Sequence, residues 1–191
     1  MGMHRSGTSV TAGVLHKLGV NMGDNLLRAD RHNPDGYYED MEFLKLNQYI
    51  LQQHGGDWLR PPEVDTTYEH LVEDTIQKKE GKWGFKDPRT LITWPAYRDV
   101  IDPKVVFVER SKEDILDSLQ RRQQLDEEIY MNTINTYIEK QYQVADELEP
   151  ENQLWVDYDE LTTKPRRVVE HMARFVDERP VNESAVNLVR T

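Results

Sequence analysis

Apolar positions along the chain alternate between helical stripes and short continuous runs. After Gly7, apolar residues at Val10, Val14 and Leu18 recur at the spacing of one helix face, which predicts an amphipathic helix. The segment 104–109 gives the clearest strand signal, because its apolar residues are continuous and mostly β-branched. Such a run is typical of a strand that is buried on both faces of a sheet.

The same reading, extended along the chain, predicts an α/β protein. Short strands that alternate with helices favour a parallel sheet covered by helices on both faces, built as a single domain over residues 1–191. In such folds ligands bind at the carboxyl ends of the strands. The further predicted elements are helices over about 39–53, 67–80 and 127–148, a last helix that begins at Pro165, strands at 83–86 and 154–156, and a loop at 54–66.

Composition excludes several classes of function. The chain has 191 residues, 35 of them acidic and 24 basic, which gives a net charge of −11, and no cysteine. Disulfide scaffolds, thiolate metal sites and cysteine nucleophiles are therefore excluded. Residues 109–160 carry 15 acidic and 5 basic side chains, and no basic face is evident, so we expect no nucleic-acid partner. No apolar stretch reaches the ~20 residues of a membrane span, and no apolar leader opens the chain, so we expect a cytoplasmic protein.

Residues 2–9 have the glycine spacing of a phosphate-binding loop. Gly2 and Gly7 flank four residues, and a predicted helix follows at once. Backbone N–H groups of such a loop and the helix N-terminus together hold an anion. The version of this loop that binds a magnesium-bridged triphosphate needs Lys where this chain has Thr8, and here the cation is Arg5 instead. We therefore expect a bound phosphate without a metal ion.

The strand at 104–109 leads directly to a second cation, Arg110, which can reach the same pocket. Ser111 follows, with Asp114 three residues later, and this spacing predicts a helix N-cap at Ser111.

At this point five segments together resemble the sulfotransferase family that uses 3'-phosphoadenosine 5'-phosphosulfate (PAPS), and especially its bacterial branch. The likeness covers nearly the whole chain. It implies a P-loop-like fold in three layers, with a parallel sheet between two layers of helices. The segments are GMHRSGTS, NPDGYYEDMEFLKLN, GFKDPRTL, VVFVERSKEDILDSL and VDYDELTTKPRRVVEHMARFVD.

The resemblance also implies a role for each residue of the nucleotide site. Arg5 matches the cation that touches the sulfuryl group and the 5'-phosphate, whereas Arg110 and Ser118 match the pair that holds the 3'-phosphate. Four further loop residues would donate hydrogen bonds to the 5'-phosphate: Ser6, Gly7, Thr8 and Ser9. His4 lies in the same loop, and both a donor to phosphate and a packing or solvent-facing role stay open for it.

Sulfuryl transfer needs an acceptor oxygen or nitrogen in line with sulfur and the leaving phosphate, fixed cations, and a general base. Arg5 and Lys86 are the expected cations, and Arg89 is a further candidate to touch nucleotide or acceptor. Glu39 is the first candidate for the base and Asp87 the alternative. His32 is a weaker candidate. The acceptor is expected to be a small molecule or a saccharide, and the sequence does not indicate an oligomeric state.

One departure from the family concerns the first strand of its sheet. There a hydrophobic strand precedes the phosphate loop, whereas here the loop begins at residue 2. We expect apolar residues ahead of Met1, or else a neighbouring strand or a second protomer that covers the sheet edge. Two other functions stay open. One is an ATP-using P-loop kinase or nucleotide-binding module, and the other is an inactive sulfotransferase relative, which the missing strand favours.

Overall fold

The computed structural model describes residues 1–31, 33–177 and 181–189. Helices occupy about half of this part of the chain, and two strands occur late in the sequence. In chain order the elements are α1 (Thr8–Lys17), α2 (Met41–Gln53), α3 (Glu69–Ile76), α4 (Thr90–Thr93), a 3-10 turn (Trp94–Ala96), β1 (Val105–Glu109), α5 (Lys112–Arg122), α6 (Glu127–Asp146), a 3-10 turn (Pro150–Asn152), β2 (Gln153–Asp157), α7 (Tyr158–Thr163), α8 (Pro165–Phe175) and α9 (Glu183–Leu188).

The two strands pair in parallel, and the fold is therefore mixed α/β, as predicted. Their register runs from Val105 opposite Gln153 to Glu109 opposite Asp157. Within the described residues this is a two-stranded sheet, smaller than the sheet that the sequence predicts. The strand predicted at 83–86 is wrong, because that segment makes only an isolated bridge from Trp83 to Asn21.

Side chains of β1 alternate between two hydrophobic cores, as the pleat of a strand requires. Val105 and Phe107 enter a core shared with helices α2, α4, α5 and α6. Val106 enters the opposite core, which also contains residues of α1, α8 and α9. Helices thus cover both faces of β1, which explains why the run from Val105 to Val108 is apolar throughout.

Two helix starts test the capping predictions. Ser111 accepts a hydrogen bond from the Asp114 N–H at 3.1 Å, so the predicted N-cap of α5 is confirmed. The helix predicted from residue 39 begins two residues later, because the Asp40 side chain accepts from the Glu42 N–H at 2.9 Å and caps α2. Glu39 therefore lies just outside the helix, where its side chain is not constrained to a helix face.

Met1 pairs with the edge of β1 that faces away from β2. Its carbonyl accepts from the Val108 N–H at 2.8 Å, and its amine donates to the Val106 carbonyl. Along the rest of this edge no strand formed by the described residues lies beside β1, and a cavity of about 530 Å³ lies there instead. None of the described helices combines the length and apolar character that a membrane crossing requires.

The turn into α1 depends on a glycine. Gly7 has a φ of 100°, and a Cβ built on it would lie 2.1 Å from the ring of Tyr158. Gly36 has a similar φ of 95°, but a Cβ there would meet nothing within 4 Å. A comparison of substitutions at the two glycines therefore distinguishes the cost of the backbone conformation from the cost of a steric clash with Tyr158.

We predict that Gly36→Ala costs about 1–2 kcal/mol of unfolding free energy, the ordinary cost of a left-handed non-glycine residue. Gly7→Ala should cost about 1–3 kcal/mol more, because the added methyl group displaces the Tyr158 ring. Urea denaturation of both variants measures the difference. Equal losses would show that the tight packing of Tyr158 on Gly7 contributes nothing.

Candidate functional site

The phosphate loop, residues 2–9, is held in a strained and closely packed form. Arg5 is a non-glycine residue with a φ of 69°, in the left-handed region. The Ser6 hydroxyl donates to the Met3 carbonyl at 2.8 Å, which closes the loop on itself. A Cβ on Gly2 would lie 2.8 Å from the Val108 carbonyl oxygen, so the close approach of this segment to β1 requires glycine.

Two long-range contacts join this loop to the unit formed by β1 and α5. Arg5 Nε donates to Ser118 Oγ at 3.0 Å, and Arg110 Nη1 donates to the Arg5 carbonyl at 3.1 Å. Ser118 is buried on the inner face of α5. The structure thus brings together Arg5, Arg110 and Ser118, the three residues to which the sequence analysis gives the main phosphate contacts.

Like charges concentrate around Arg5. Burial and then the neighbouring guanidinium groups of Arg122, Arg110 and Arg121 lower the pKa of Arg5. Positive groups that repel one another in this way are stabilised by a bound anion. The charges around Arg5 therefore favour a bound anion.

Arg110 is held in place but keeps unused hydrogen-bonding capacity. Its guanidinium lies 4.4 Å from the centre of the Tyr158 ring, a stacking contact. Its Nε is buried and has no hydrogen-bond partner among the described residues, and a carboxylate oxygen of Asp114 lies 4.0 Å away. A buried guanidinium N–H without a partner is costly, and a phosphate oxygen is well suited to accept from it.

A second set of charged residues, the ion-pair cluster of Glu39, Lys86, Asp87 and Arg89, is buried next to the start of α1. Lys86 Nζ lies 2.6 Å from Glu39 Oε1 and 3.3 Å from Ser9 Oγ. Arg89 Nη2 lies 3.5 Å from the other Glu39 oxygen. Burial lowers the pKa of Lys86, although the Glu39 carboxylate acts in the opposite direction. The cluster therefore places a lysine ammonium at the loop hydroxyl of Ser9.

Asp87 and Asn47 form the support of this cluster. Asp87 Oδ1 accepts from Arg89 Nε at 2.7 Å, and Asp87 Oδ2 accepts from the Asn47 amide at 2.9 Å. The pKa of Arg89 is raised although burial alone would lower it, because Asp87 and Glu39 lie beside it. Both oxygens of Asp87 are thus engaged in holding other side chains.

His4 differs from the other loop residues in what it contacts. Its ring lies 4.8 Å from that of Trp58 and 5.6 Å from that of Tyr137, measured between centroids. Burial, followed by the charges of Arg89 and Lys86, holds the pKa of His4 well below its ordinary value. The His4 ring therefore lies within an aromatic group, where the uncharged imidazole is favoured. Among the described residues, its buried Nε2 and the hydroxyl of Tyr137 have no hydrogen-bond partner.

The sequence-predicted site residues form two neighbouring groups. Arg5, Arg110 and Ser118 make the first, and Glu39, Lys86, Asp87 and Arg89 make the second, with Ser9 in contact with the second. Ser6 and Thr8 are buried within the loop and the first turn of α1, and Gly7 forms its turn. His32 lies outside the described residues.

Sequence reasoning missed three residues that contribute to this site. Arg122 lies four positions after Ser118 on α5, so the helical period alone could have placed it on the same face. Asn47 interrupts the apolar stripe of α2 at a fully buried position, which is a signal of a buried polar network. Tyr158 comes directly after β2, as Arg110 comes directly after β1. The parallel pairing of the two strands brings these residues together, and the sequence carries no local signal of that pairing.

Comparisons with known proteins add no relative: no family model matches the chain, and neither the curated proteins nor the solved structures match it. Within residues 1–31, 33–177 and 181–189, no group of three or more His, Asp or Glu side chains is arranged to hold a metal ion.

Two fully buried tyrosines provide a test of the hydrogen bonds near the site. Tyr97 donates to Asn47 Oδ1 at 2.8 Å, whereas the Tyr137 hydroxyl has no partner. We predict that Tyr97→Phe lowers the free energy of unfolding by about 1 kcal/mol, and that Tyr137→Phe raises it by about 1 kcal/mol because an unsatisfied hydroxyl is removed. Chemical denaturation of both variants measures these changes. A loss of stability in Tyr137→Phe would reveal a partner for that hydroxyl.

Proposed function

We propose that the protein is a PAPS-dependent sulfotransferase, which moves a sulfuryl group to a hydroxyl or amine acceptor by in-line transfer. The observation that carries this proposal is the contact between Arg5 and Ser118, with Arg110 bound to the Arg5 carbonyl. Arg5 and Arg110, the cations that we assign to two separate phosphate groups, are thus in contact next to the carboxyl end of β1. A nucleoside 3',5'-bisphosphate has two such groups, whereas the phosphates of ADP or ATP form a single chain.

The proposal includes a three-layer, P-loop-like fold. Two observations support it: the loop that leads into α1, and a parallel strand pair with helices packed on both faces. Ligand sites of such folds lie at the carboxyl ends of the strands, where Arg110 and Tyr158 follow β1 and β2.

The residues of the site suit the proposed nucleotide. The buried Nε of Arg110 needs an acceptor, and Ser118 lies close to Arg110 because both residues contact Arg5. Arg5 lies among other guanidinium groups, which a phosphate would stabilise. We assign the 3'-phosphate to Arg110 and Ser118, and the 5'-phosphate to the backbone N–H groups of residues 7–9 and the hydroxyls of Thr8 and Ser9. The N–H and the hydroxyl of Ser6 both donate to the Met3 carbonyl and would have to change partner to join them.

PAPS, when bound, supplies an activated sulfuryl group on a phosphate leaving group. The protein's contribution is to fix positive charge where negative charge develops in the transition state. Arg5 stabilises the charge on the leaving phosphate oxygen as its bond to sulfur breaks. Lys86, held at Ser9, is in position to stabilise the sulfonate oxygens.

Glu39 is the general base of the proposed mechanism. Its carboxylate takes the proton of the acceptor hydroxyl or amine as the new bond to sulfur forms. Lys86 and Arg89 contact one Glu39 oxygen each and so orient the carboxylate. Asp87 is less suited to this role because both of its oxygens accept short hydrogen bonds, from Arg89 at 2.7 Å and from Asn47 at 2.9 Å, whereas Glu39 Oε2 has only the longer 3.5 Å ion pair with Arg89. We assign Asp87 the positioning of Arg89.

The role of Arg5 predicts a large loss of rate on its removal. Arg5→Ala should lower turnover about 10²-fold or more, on the scale of losing one transition-state donor. The measurement is the release of adenosine 3',5'-bisphosphate from PAPS, using whichever alcohol, phenol or saccharide of a panel gives the unaltered chain its highest rate. Lys17→Ala, which removes an exposed cation at the end of α1, is the control and should keep its rate. Turnover close to that of the unaltered chain in a folded Arg5→Ala variant would contradict the assignment.

Nucleotide preference tests the function as a whole. Adenosine 3',5'-bisphosphate should bind at least ~10-fold more tightly than ADP, because charge-assisted hydrogen bonds to the 3'-phosphate contribute about 1.5–3 kcal/mol. At 100 times its Kd the bisphosphate should raise the Tm by roughly 5–10 °C, and the rise should persist in EDTA. Calorimetric titration and thermal melting measure both effects.

Variants separate this proposal from its alternatives. Arg110→Ala should abolish the preference for the bisphosphate over ADP while weaker binding through residues 2–9 remains, and Lys17→Ala should change neither. A larger Tm rise with ATP and magnesium, and none with the bisphosphate, would favour a P-loop kinase. Tight bisphosphate binding without turnover on any acceptor of the panel would indicate an inactive relative.

A further inference from the structure

Two polar atoms beside the candidate site are buried and unpaired: His4 Nε2 and the Tyr137 hydroxyl have no hydrogen-bond partner among the described residues. The two rings meet edge to face, with their centroids 5.6 Å apart. Buried polar groups in folded proteins are nearly always hydrogen-bonded, because an unpaired one destabilises the fold. The proposed nucleotide contacts and the ion-pair cluster use neither atom. A ligand with hydroxyl groups would provide partners for both.

The two rings lie next to the groups that the proposed mechanism assigns to the acceptor. His4 directly precedes Arg5 in the phosphate loop, and Tyr137 lies on α6, which packs against α4. Arg89 directly precedes α4 and lies 3.5 Å from a Glu39 oxygen. Burial raises the pKa of Tyr137 and lowers that of His4, and the charge of Arg89 also acts on both. An acceptor whose reacting hydroxyl meets Glu39 therefore lies near these two rings.

Trp58 extends this pair of rings into a larger aromatic group. Its ring lies 4.8 Å from that of His4, tilted by 53°. Trp58 and His4 are partly exposed, whereas Tyr137 is fully buried. The Asp57 carboxylate accepts from the Leu59 N–H at 2.7 Å and so holds the turn that carries Trp58. The aromatic group thus runs from the core to the surface, with the Trp58 ring at its outer end.

The chemistry of this group selects among acceptor classes. Aromatic walls with a few fixed polar atoms are typical of small-molecule sites. A simple alcohol or a phenol has a single hydroxyl, which the transfer reaction uses at Glu39, so both unpaired atoms would stay unpaired. A saccharide has further hydroxyl groups beside the reacting one, and the C–H face of its ring packs against an aromatic side chain.

We propose that His4, Trp58 and Tyr137 form the acceptor subsite and that the acceptor is a saccharide. The assignment rests on the proposed function, because it concerns the acceptor of the same transfer. The Tyr137 O–H donates to one sugar oxygen beside the reacting hydroxyl, and His4 Nε2 pairs with another. The Trp58 ring turns away from His4 to admit the sugar and then packs on its face.

The first test compares acceptors in the bisphosphate-release assay with the full chain. The acceptors are methyl glucoside, methyl galactoside, methyl mannoside, phenol and cyclohexanol, which has a ring of pyranose size but a single hydroxyl. We expect kcat/KM for the best saccharide to exceed that for cyclohexanol at least ~10-fold, because a site built for hydroxyl groups discriminates against a ligand that leaves its buried polar atoms unpaired. Turnover of phenol or cyclohexanol without turnover of any saccharide would overturn the assignment.

Tyr137→Phe separates recognition from folding. It should raise the Tm of the free chain by about 2–4 °C, because an unpaired hydroxyl is removed. It should also raise KM for the best saccharide about 10-fold, because a sugar oxygen loses its donor, and leave KM for cyclohexanol unchanged. A purely structural role would lower the Tm and change no KM. An unchanged saccharide KM in Tyr137→Phe would overturn the assignment.

Tyr130→Phe is the matched control on the same helix. Tyr130 is also buried on α6, but its hydroxyl donates to the Gln123 carbonyl at 2.9 Å. This variant should lower the Tm and leave the saccharide KM unchanged. A rise in saccharide KM equal to that of Tyr137→Phe would show a general effect of α6 and would overturn the assignment.

Two variants of His4 test the second unpaired atom. The amide nitrogen of His4→Gln takes nearly the place of Nε2, so this variant should keep most of the saccharide kcat/KM. His4→Phe keeps only the ring and should lower that value about 10-fold. Equal values for the two variants would overturn the role of Nε2.

Calorimetric titration with adenosine 3',5'-bisphosphate distinguishes failure of this assignment from failure of the proposed function. The unaltered chain, Tyr137→Phe and both His4 variants should bind the bisphosphate equally. Binding and turnover without the saccharide effects would overturn the acceptor subsite alone. An unaltered chain that neither binds the bisphosphate nor turns over any acceptor would contradict the proposed function, and the acceptor subsite with it.

Discussion

The buried ion pair between Lys86 and Glu39 is the interaction on which the site depends. It joins three segments far apart in sequence, because Lys86 also reaches Ser9 at the start of α1. Both side chains are less than a tenth exposed. Loss of one partner from such a pair typically costs about 3–5 kcal/mol, because the other charge remains buried. A hydrophobic pair of equal volume often gives similar or greater stability, so stability alone does not explain these charges.

The second constraint is the direction of β1. Because β1 and β2 are parallel, Arg110 and Tyr158 both follow the carboxyl ends of their strands, and their side chains stack on each other. The loop of residues 2–9 contacts the end of β1 through Gly2, whose lack of a side chain lets it approach the Val108 carbonyl. The parallel direction of the two strands therefore sets the position of the candidate site, and the side chains that follow each strand set its chemistry.

Local signals in the sequence were enough for the elements that carry the site. The continuous apolar run predicted β1, and the Ser111 cap predicted the start of α5, since both depend on residues close in sequence. The sequence of the segment 83–86 is locally typical of a strand. A strand also needs a partner to pair with, and among the described residues this segment makes a single isolated bridge, from Trp83 to Asn21. Pairing across long sequence separations, such as that of Tyr158 with Arg110, leaves no periodic signal.

Arg5 shows how the loop combines these constraints in one residue. Its left-handed φ of 69° costs about 1–2 kcal/mol for a residue with a side chain, and glycine would avoid that cost. Glycine, however, has no cation to offer to Ser118. The same residue presents its carbonyl to Arg110, so its backbone and its side chain bind two different parts of the unit formed by β1 and α5. The strain falls on the residue to which the proposed function assigns the phosphate contact, and strained residues cluster at sites of binding or catalysis.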